Sequence, residues 1–232
     1  MHHIQKYILK KLTLTKRARF SEMRPPRTDS NVYSYHLSAL QHDSFIKKND
    51  KSYDLTPKGL AYVERISVDS FEPRMQPKII TIMIVQNADG MILLWPKSKQ
   101  PFIGTWSLLS GKVHLDDASI LGAVQRECIE KFTVEPNFID HKGDSYIRAY
   151  VDSQLVSTVL AHICRVRISD DAKFHENVRW YTPEEILNLD TAPATTNIIS
   201  QALATNSFYF AEYNIYVNQR KNGRTEATSL AR

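Results

Sequence analysis

The segment from Gly111 to Val134 constrains the fold of this chain more than any other, because it combines a helical apolar pattern with acidic residues at a fixed spacing. Its apolar residues recur every three or four positions, as they do on a helix that buries one face; they are Ile120, Leu121, Val124, Cys128 and Phe132. Glu127 and Glu130 are three residues apart, so their side chains emerge close together on one edge of that helix. The segment therefore predicts a helix with an acidic edge. An ordinary solvated helix face is the alternative.

The same segment resembles the Nudix box of hydrolases that cleave nucleoside diphosphates linked to another group. The residues that fit the box are Gly111, Arg126, Glu127, Cys128, Glu130 and Val134. Two positions depart from it, because Lys131 stands at the last family Glu and Thr133 at the family Gly. Asp117 can replace the first family Glu only if one extra residue is accepted before Arg126.

Two flanking segments support the resemblance. Residues 104–111 are similar to the approach to the box, and residues 176–187 are similar to a family segment in which an aromatic strand precedes a short helix. Within the second segment, Thr182-Pro-Glu-Glu carries the signature of a helix start. The resemblance implies a Nudix α/β/α sandwich with a mixed sheet over residues 78–205.

The resemblance also implies a magnesium site, since hard divalent cations prefer oxygen ligands. Its metal ligands would be Glu127, Glu130, the carbonyl of Gly111, and Asp117. Its catalytic residues would be Glu127, Glu130 and Glu176, although Glu176 could equally be an ordinary loop carboxylate.

Lys131 determines what such a site could do. An ammonium in place of a carboxylate reverses the sign of one Coulomb interaction with a metal ion, so magnesium affinity should fall. One alternative is a simple ion pair between Glu127 and Lys131, which are four residues apart on the helix. Another is that Lys131 contacts ligand phosphates directly, with Lys112 and Arg126 as further phosphate contacts. Such a site could bind a diphosphate without cleaving it.

Strand patterns surround the box. Residues 78–85 and 91–95 form a hairpin signal around a glycine-bearing turn, and both strands should be central. Residues 145–151 and 155–168 form a second strand pair.

Residues 1–70 predict a different domain, with the order helix, short helix, helix, hairpin, helix. A helix over residues 4–12 and a short one over 19–23 precede Pro25 and Pro26, which end the helical run. Asp29 or Ser30 then caps a third helix. The order and the phrases at residues 35–40 and 53–59 resemble winged helix-turn-helix domains of bacterial transcription regulators. The complete chain is thus predicted to be of the α+β class.

Charge favours a nucleic-acid partner for this first domain. Residues 1–78 hold 15 Lys and Arg against 8 Asp and Glu, a net charge of +7, whereas the remaining residues hold 15 against 17, a net charge of −2. The predicted DNA contacts are basic side chains and polar residues of the third helix, namely Arg24, Arg27, Asn31, Ser34, Tyr35, Ser38, Lys47, Lys48 and Lys51. RNA contact or a protein-interaction role of the same fold are the alternatives.

The remaining segments bound the domains. Residues 71–77 carry two prolines and predict a linker, and residues 206–232 predict an aromatic segment, which adds a strand or covers a partner, followed by a flexible tail. No apolar run is long enough to cross a membrane, and the N-terminus lacks the apolar part of a signal peptide. Two cysteines lack the spacing of a zinc site or a disulfide framework, which favours the cytoplasm.

Three functions follow from these features. The first is a transcription regulator in which the Nudix-like domain senses a phosphorylated nucleotide, such as ADP-ribose or a nucleotide sugar, and the winged helix binds duplex DNA. Its two sites would be coupled most simply through a homodimer. The second is an active magnesium-dependent Nudix hydrolase with an accessory winged-helix domain. The third is an interaction module with neither activity.

Overall fold

The computed structural model describes residues 1–67, 69–73, 75–100, 102–133, 135–168, 172, 174, 177–204 and 207–217. It divides the chain into two compact units, Met1–Met75 and Gln76–Arg232. Within the described ranges, none of the helices has the length and apolar character needed to cross a membrane. Val134, Glu176 and the predicted tail at 218–232 lie outside the described residues.

Among its described residues, the first unit contains three helices, a short 3-10 helix and a small sheet. Its elements are α1 (His3–Leu14), β1 (Ala18–Arg19), the 3-10 helix (Phe20–Met23), α2 (Ser30–His42), β2 (Ile46–Asn49), β3 (Ser52–Leu55) and α3 (Pro57–Val63). The three strands pair antiparallel in the order β1-β3-β2. The helices and the hairpin occur in the order that the sequence predicts for a winged helix-turn-helix. The short strand β1 is an addition that the sequence pattern did not indicate.

Local side chains fix the ends of these elements. The Asp29 carboxylate accepts hydrogen bonds from the backbone N–H groups of Asn31 and Val32, so it caps α2 as one of the two predicted alternatives. Thr56 caps α3, which begins at Pro57. The core of the unit is apolar and fully buried at its centre; its largest members are Ile8, Leu9, Met23, Tyr33, Leu40 and Ile46.

The part of the second unit that the structure describes is built on an eight-stranded mixed sheet with helices on both faces. Its elements are β4 (Lys78–Gln86), β5 (Ile92–Pro96), β6 (Trp106–Ser107), β7 (Leu109–Lys112), α4 (Ile120–Phe132), β8 (Phe138–Val151), β9 (Gln154–Arg167), β10 (Arg179–Tyr181), α5 (Pro183–Ile186), α6 (Thr195–Ala204) and β11 (Tyr209–Val217). The main strand order is β10-β5-β4-β9-β8-β11, with β6 beside β5 and β7 beside β4. The pairs β4–β9 and β8–β11 are parallel and the others are antiparallel. The predicted α+β class with a mixed sheet is confirmed.

Alternate residues of β4 pack on opposite faces of this sheet. Ile82 and Ile84 face a core that includes residues of α5 and α6. Met83 and Val85 face a second core, to which α4 contributes Val124, Cys128 and Phe132. The prediction that Leu121 faces this core is wrong, since 43% of that side chain is exposed. Leu121 lies in the first turn of α4, before the first buried residue of the helix.

The aromatic segment after α6 adds a strand, which is one of its two predicted alternatives. β11 runs parallel to β8, from Tyr209 opposite Gly143 to Val217 opposite Val151. Gly143 is required at this contact, because a Cβ at that position would lie 2.4 Å from the carbonyl oxygen of Tyr209. The missing side chain at Gly143 therefore leaves room for Tyr209, the first residue of β11 that pairs with β8.

Candidate functional site

The acidic edge of α4 lies against the end of β7. A Cβ on Gly111 would lie 1.9 Å from the carboxylate carbon of Glu127, so the Glu127 side chain occupies the space that the glycine leaves open. Glu127 is buried although it is charged. A buried carboxylate requires hydrogen-bonded cationic partners, and the structure supplies two of them.

Arg126 is the first partner and joins most of the box into one network. Its guanidinium donates two hydrogen bonds to Asp117, with Nε–Oδ1 at 2.8 Å and Nη2–Oδ2 at 2.9 Å. It also donates from Nη1 to Glu127 at 3.1 Å and to Glu130 at 3.3 Å, and from Nη2 to the carbonyl oxygen of Lys112 at 2.9 Å. These bonds lower the pKa of Asp117 and raise the pKa of Arg126. Arg126 is therefore engaged by protein acceptors.

Lys131 is the second partner. Its ammonium donates a hydrogen bond to Oε2 of Glu127, while Arg126 holds Oε1 of the same carboxylate. The predicted Glu127–Lys131 ion pair is thus present. Three carboxylates of the box, on Asp117, Glu127 and Glu130, face two protein cations, which leaves a net formal charge of −1.

The arrangement does not fit a magnesium ion well. Both oxygens of Glu127 already accept hydrogen bonds from cations. Asp117 accepts from Arg126 and from the backbone N–H of His114, and its side chain is only 6% exposed. Glu130 is more accessible, with a side chain that is 54% exposed. An ion could use the Gly111 carbonyl, Glu127 and Glu130 only after displacing Arg126 or Lys131 from the carboxylates.

Lys131 also lines an adjacent pocket of about 300 Å³. The pocket is lined by Trp95, Lys97, Ser98, Lys99, Ser107, Leu108, Leu109, Ser110 and Lys131. Burial lowers the pKa of Lys97, because an ammonium loses hydration there. No acidic residue is among these lining side chains, so the pocket offers three amines and two hydroxyl-bearing strand residues to an anion. Lys97 and Lys99 follow β5 and belong to no motif, so the sequence did not indicate them as site residues.

The structure brings together six of the predicted site residues, namely Gly111, Asp117, Arg126, Glu127, Glu130 and Lys131. Lys112 joins the network through its backbone carbonyl oxygen, which accepts a hydrogen bond from Arg126. Lys112 itself is exposed to solvent. Glu176 lies outside the described residues, so its predicted catalytic role stays a prediction.

The predicted DNA contacts lie on the surface of the first unit. On α2, Asn31 and Ser38 are exposed, Tyr35 is 71% exposed, and Ser34 is half-buried. Basic side chains with exposed positions lie before α2 and in the hairpin; they are Arg24, Arg27, Lys47, Lys48 and Lys51. Arg24 also donates from Nε to the carbonyl oxygen of Thr28 at 2.9 Å, which closes the turn before α2. The unit therefore combines the exposed face of α2 with a basic hairpin.

The mixed sheet between helices and the glycine–glutamate contact of the box define a Nudix-type domain. The family model of the NUDIX domain matches residues 75–202, more than half of the chain, and the chain belongs to this family. A search of curated proteins finds no match.

Solved structures with a similar fold include the MutT protein from Bacillus halodurans, which is 21% identical with a TM-score of 0.48 over 60% of this chain and 90% of that chain. The NUDIX domain of Shewanella oneidensis NrtR, solved in complex with ADP ribose, is 19% identical with a TM-score of 0.49 over 65% of this chain and 98% of that chain. Shewanella oneidensis NrtR itself is 20% identical with a TM-score of 0.45 over 53% of this chain and 60% of that chain.

Proposed function

We propose that this protein is a transcription regulator whose Nudix domain binds a nucleotide with a diphosphate group, such as ADP-ribose or a nucleotide sugar, without cleaving it efficiently. The observation that supports the proposal is the pairing of the Glu127 carboxylate with both Arg126 and Lys131. These cations neutralise the groups that would otherwise attract magnesium.

The lysine-lined pocket beside the box supports an anionic ligand. Lys97, Lys99 and Lys131 all line it, and an ammonium in a partly desolvated site attracts a phosphate more strongly than one in bulk water. Lys131 has three N–H donors, so it can contact a phosphate oxygen while it holds Glu127. The pocket volume of about 300 Å³ is at the lower end for small-molecule sites, and the pocket would hold the diphosphate part of the ligand.

The ligand proposal is tested by isothermal titration of the full chain with ADP-ribose, a nucleotide sugar and a dinucleoside polyphosphate, with and without magnesium. We expect binding of at least one ligand without magnesium, and at least tenfold weaker binding for Lys131→Met. Lys78→Met serves as the control, because Lys78 is exposed at the start of β4 and does not line the pocket. Equal affinity of the two variants would remove Lys131 from the ligand site.

An active magnesium-dependent hydrolase is the second candidate. The observation that favours it is the close contact of Glu127 with Gly111, which keeps two groups of the box together. Turnover of any of these nucleotides that is abolished in Glu127→Gln would establish this function in place of the sensor.

The first unit is proposed to bind duplex DNA, with the exposed face of α2 in the major groove and the β2–β3 hairpin beside the phosphates. Exposed Lys47 and Lys48 lie in β2, at the hairpin. Replacing both with Ala should weaken binding and reduce the dependence of log K on log salt by about 1 per lost phosphate contact. Fluorescence anisotropy over a salt series measures both quantities, with Lys78→Ala as the control. An unchanged slope for the double variant would contradict a DNA-binding hairpin.

Ligand binding is proposed to change DNA affinity through a homodimer, since a change in the spacing of two DNA-binding units alters a palindromic contact. Light scattering after size-exclusion chromatography measures the oligomeric state. A monomer at all concentrations that bind DNA would exclude this form of coupling.

A further inference from the structure

Two histidines and one aspartate form a cluster on the central strands of the Nudix domain, outside the box. His141 and Asp144 lie on β8, and His162 lies on β9. One potential ligand atom of each residue, a ring nitrogen or a carboxylate oxygen, lies within 4.8 Å of the other two. Oδ1 of Asp144 accepts from both rings, with His141 Nε2 at 2.9 Å and His162 Nδ1 at 2.7 Å. Two imidazole nitrogens therefore meet at one carboxylate oxygen.

An irregularity of β8 produces this convergence. In a regular strand, residues three apart point to opposite faces of the sheet, so His141 and Asp144 would be separated. The pairing with β9 shifts between His141 and Gly143, which leaves Lys142 as an extra residue in β8. The bulge brings both side chains to the face that carries His162. Such bulges commonly redirect a side chain at a functional site.

The cluster lies on the α4 face, but it is separate from the box. Asp144 pairs with His162, His162 with Thr81 of β4, and Thr81 with Gly111 of β7. Neighbouring strands are about 4.8 Å apart, so His162 lies about 10 Å from the Gly111 backbone. Between them, the hydroxyl of Thr81 is buried and has no hydrogen-bond partner among the described residues. A water or ligand atom between His162 and Gly111 would provide the Thr81 hydroxyl with a hydrogen-bond partner.

The donor set fits a first-row divalent transition ion. Two imidazoles and one carboxylate suit Zn²⁺ and its neighbours, whereas Mg²⁺ takes oxygen ligands. A tetrahedral ion at about 2.0–2.1 Å from each ligand requires ligand atoms about 3.4 Å apart. The observed contacts of 2.7 and 2.9 Å would widen by about 0.7 and about 0.5 Å, and loss of the N–H protons from the rings would favour that change.

We propose that His141, Asp144 and His162 bind one divalent transition ion of the Zn²⁺ class. Three protein ligands leave a fourth position for water or for an anionic oxygen. The side chains are partly exposed, His141 the most at 28%, so an ion can enter from solvent. The proposal does not depend on whether the box hydrolyses or only binds a nucleotide.

The test uses the full chain after treatment with EDTA and removal of the chelator. Equilibrium dialysis against Zn²⁺, followed by elemental analysis, gives the stoichiometry, and Co²⁺ reports coordination through its visible absorption bands. We expect about one ion per chain and a tetrahedral Co²⁺ spectrum. Asp144→Ala and His162→Ala should each weaken binding by at least about 100-fold. The loss of a residue that only hydrogen-bonds to a metal ligand typically costs less, about 10- to 100-fold. His141→Gln is the milder variant should either of these fail to fold.

Two controls separate this cluster from other sites. The rings of His2, His3 and His36 lie close together in the first unit, with centroids 4.0–4.2 Å apart in successive pairs, so His36→Ala tests whether the ion binds there instead. Glu127→Gln tests the box. Both variants should retain one equivalent of ion. The proposal would be overturned if His36→Ala or Glu127→Gln lost the ion, or if the cluster variants retained it. It would also be overturned if the unaltered chain bound no stoichiometric ion.

Discussion

Replacing Lys131 with Glu should create a strong magnesium site in the box. In the structure, Lys131 contributes one of the two cations that face Asp117, Glu127 and Glu130. The substitution removes that cation and adds a carboxylate, so the net formal charge of the group changes from −1 to −3. It also releases Oε2 of Glu127, which then becomes free to bind a metal ion.

Coulomb's law gives the lower limit of the effect. Two unit charges about 4 Å apart interact by about 1 kcal/mol in bulk water, so a divalent ion gains about 2 kcal/mol when one positive charge is removed. Adding a negative charge at the same place doubles the gain to about 4 kcal/mol. Since about 1.4 kcal/mol is a factor of ten, magnesium affinity should rise about 30-fold in Lys131→Met and about 1,000-fold in Lys131→Glu. The partly buried site has a lower effective dielectric, which increases both numbers.

Isothermal titration with Mg²⁺, and with Mn²⁺ as a second ion, measures these affinities. Lys131→Met separates removal of the positive charge from addition of a negative one, because its side chain has a similar length and no charge. Circular dichroism confirms that each variant is folded. If Lys131→Glu binds magnesium no better than Lys131→Met, the charge balance of the box does not control metal affinity.

Thr133 ends α4 with φ +57°, so Thr133→Gly should stabilise the fold by about 1 kcal/mol in urea unfolding, and no gain would show that the position is unstrained. Gly143→Ala should destabilise it by about 1–3 kcal/mol, measured in the same way, because the added Cβ meets the backbone of β11; an unchanged midpoint would contradict that contact. Glu127→Gln should strengthen nucleotide binding severalfold, because it removes a carboxylate that competes with the ligand for Lys131. Isothermal titration measures the affinity, and weaker binding would contradict this competition. Burial raises the pKa of Cys128 and of Cys164 to about 12, so both thiols should react with a disulfide reagent at pH 8 only after unfolding, with reaction of the folded chain as the contrary result.

The parts of this structure that depend on neighbouring residues were accessible from the sequence. The cap of α2 by Asp29 and the capping box that joins Thr182 to Glu185 involve residues at most three positions apart. The strand pair β8–β9 turns at Asp152 and Ser153, both with positive φ, between the two strands that the sequence predicts at residues 145–151 and 155–168. Short-range chemistry specifies these features, so a single sequence is enough to find them.

Features that join distant positions were not accessible in the same way. Lys97 and Lys99 reach the pocket beside Lys131 because β5 and β7 pair with the same edge of β4. The His141–Asp144–His162 cluster depends on one extra residue in β8, and a bulge has no reliable signature in a pattern of alternating residues. The network of Arg126 likewise requires the loop at Asp117 to fold back onto α4.

Glu127 and a ligand phosphate would compete for Lys131. Substitutions in the box therefore report on ligand binding even if the box does not catalyse a reaction. A phosphate that binds Lys131 must share it with Glu127, and that carboxylate lies directly against the Gly111 backbone of β7. Weakening the Glu127–Lys131 pair leaves a buried carboxylate less compensated, so Glu127 must shift or rely on Arg126 alone. Removing the Glu127 charge should therefore be followed on two quantities, ligand affinity and turnover. A sensor binds its ligand more tightly and has no turnover in the unaltered chain, whereas a hydrolase has turnover that this change abolishes.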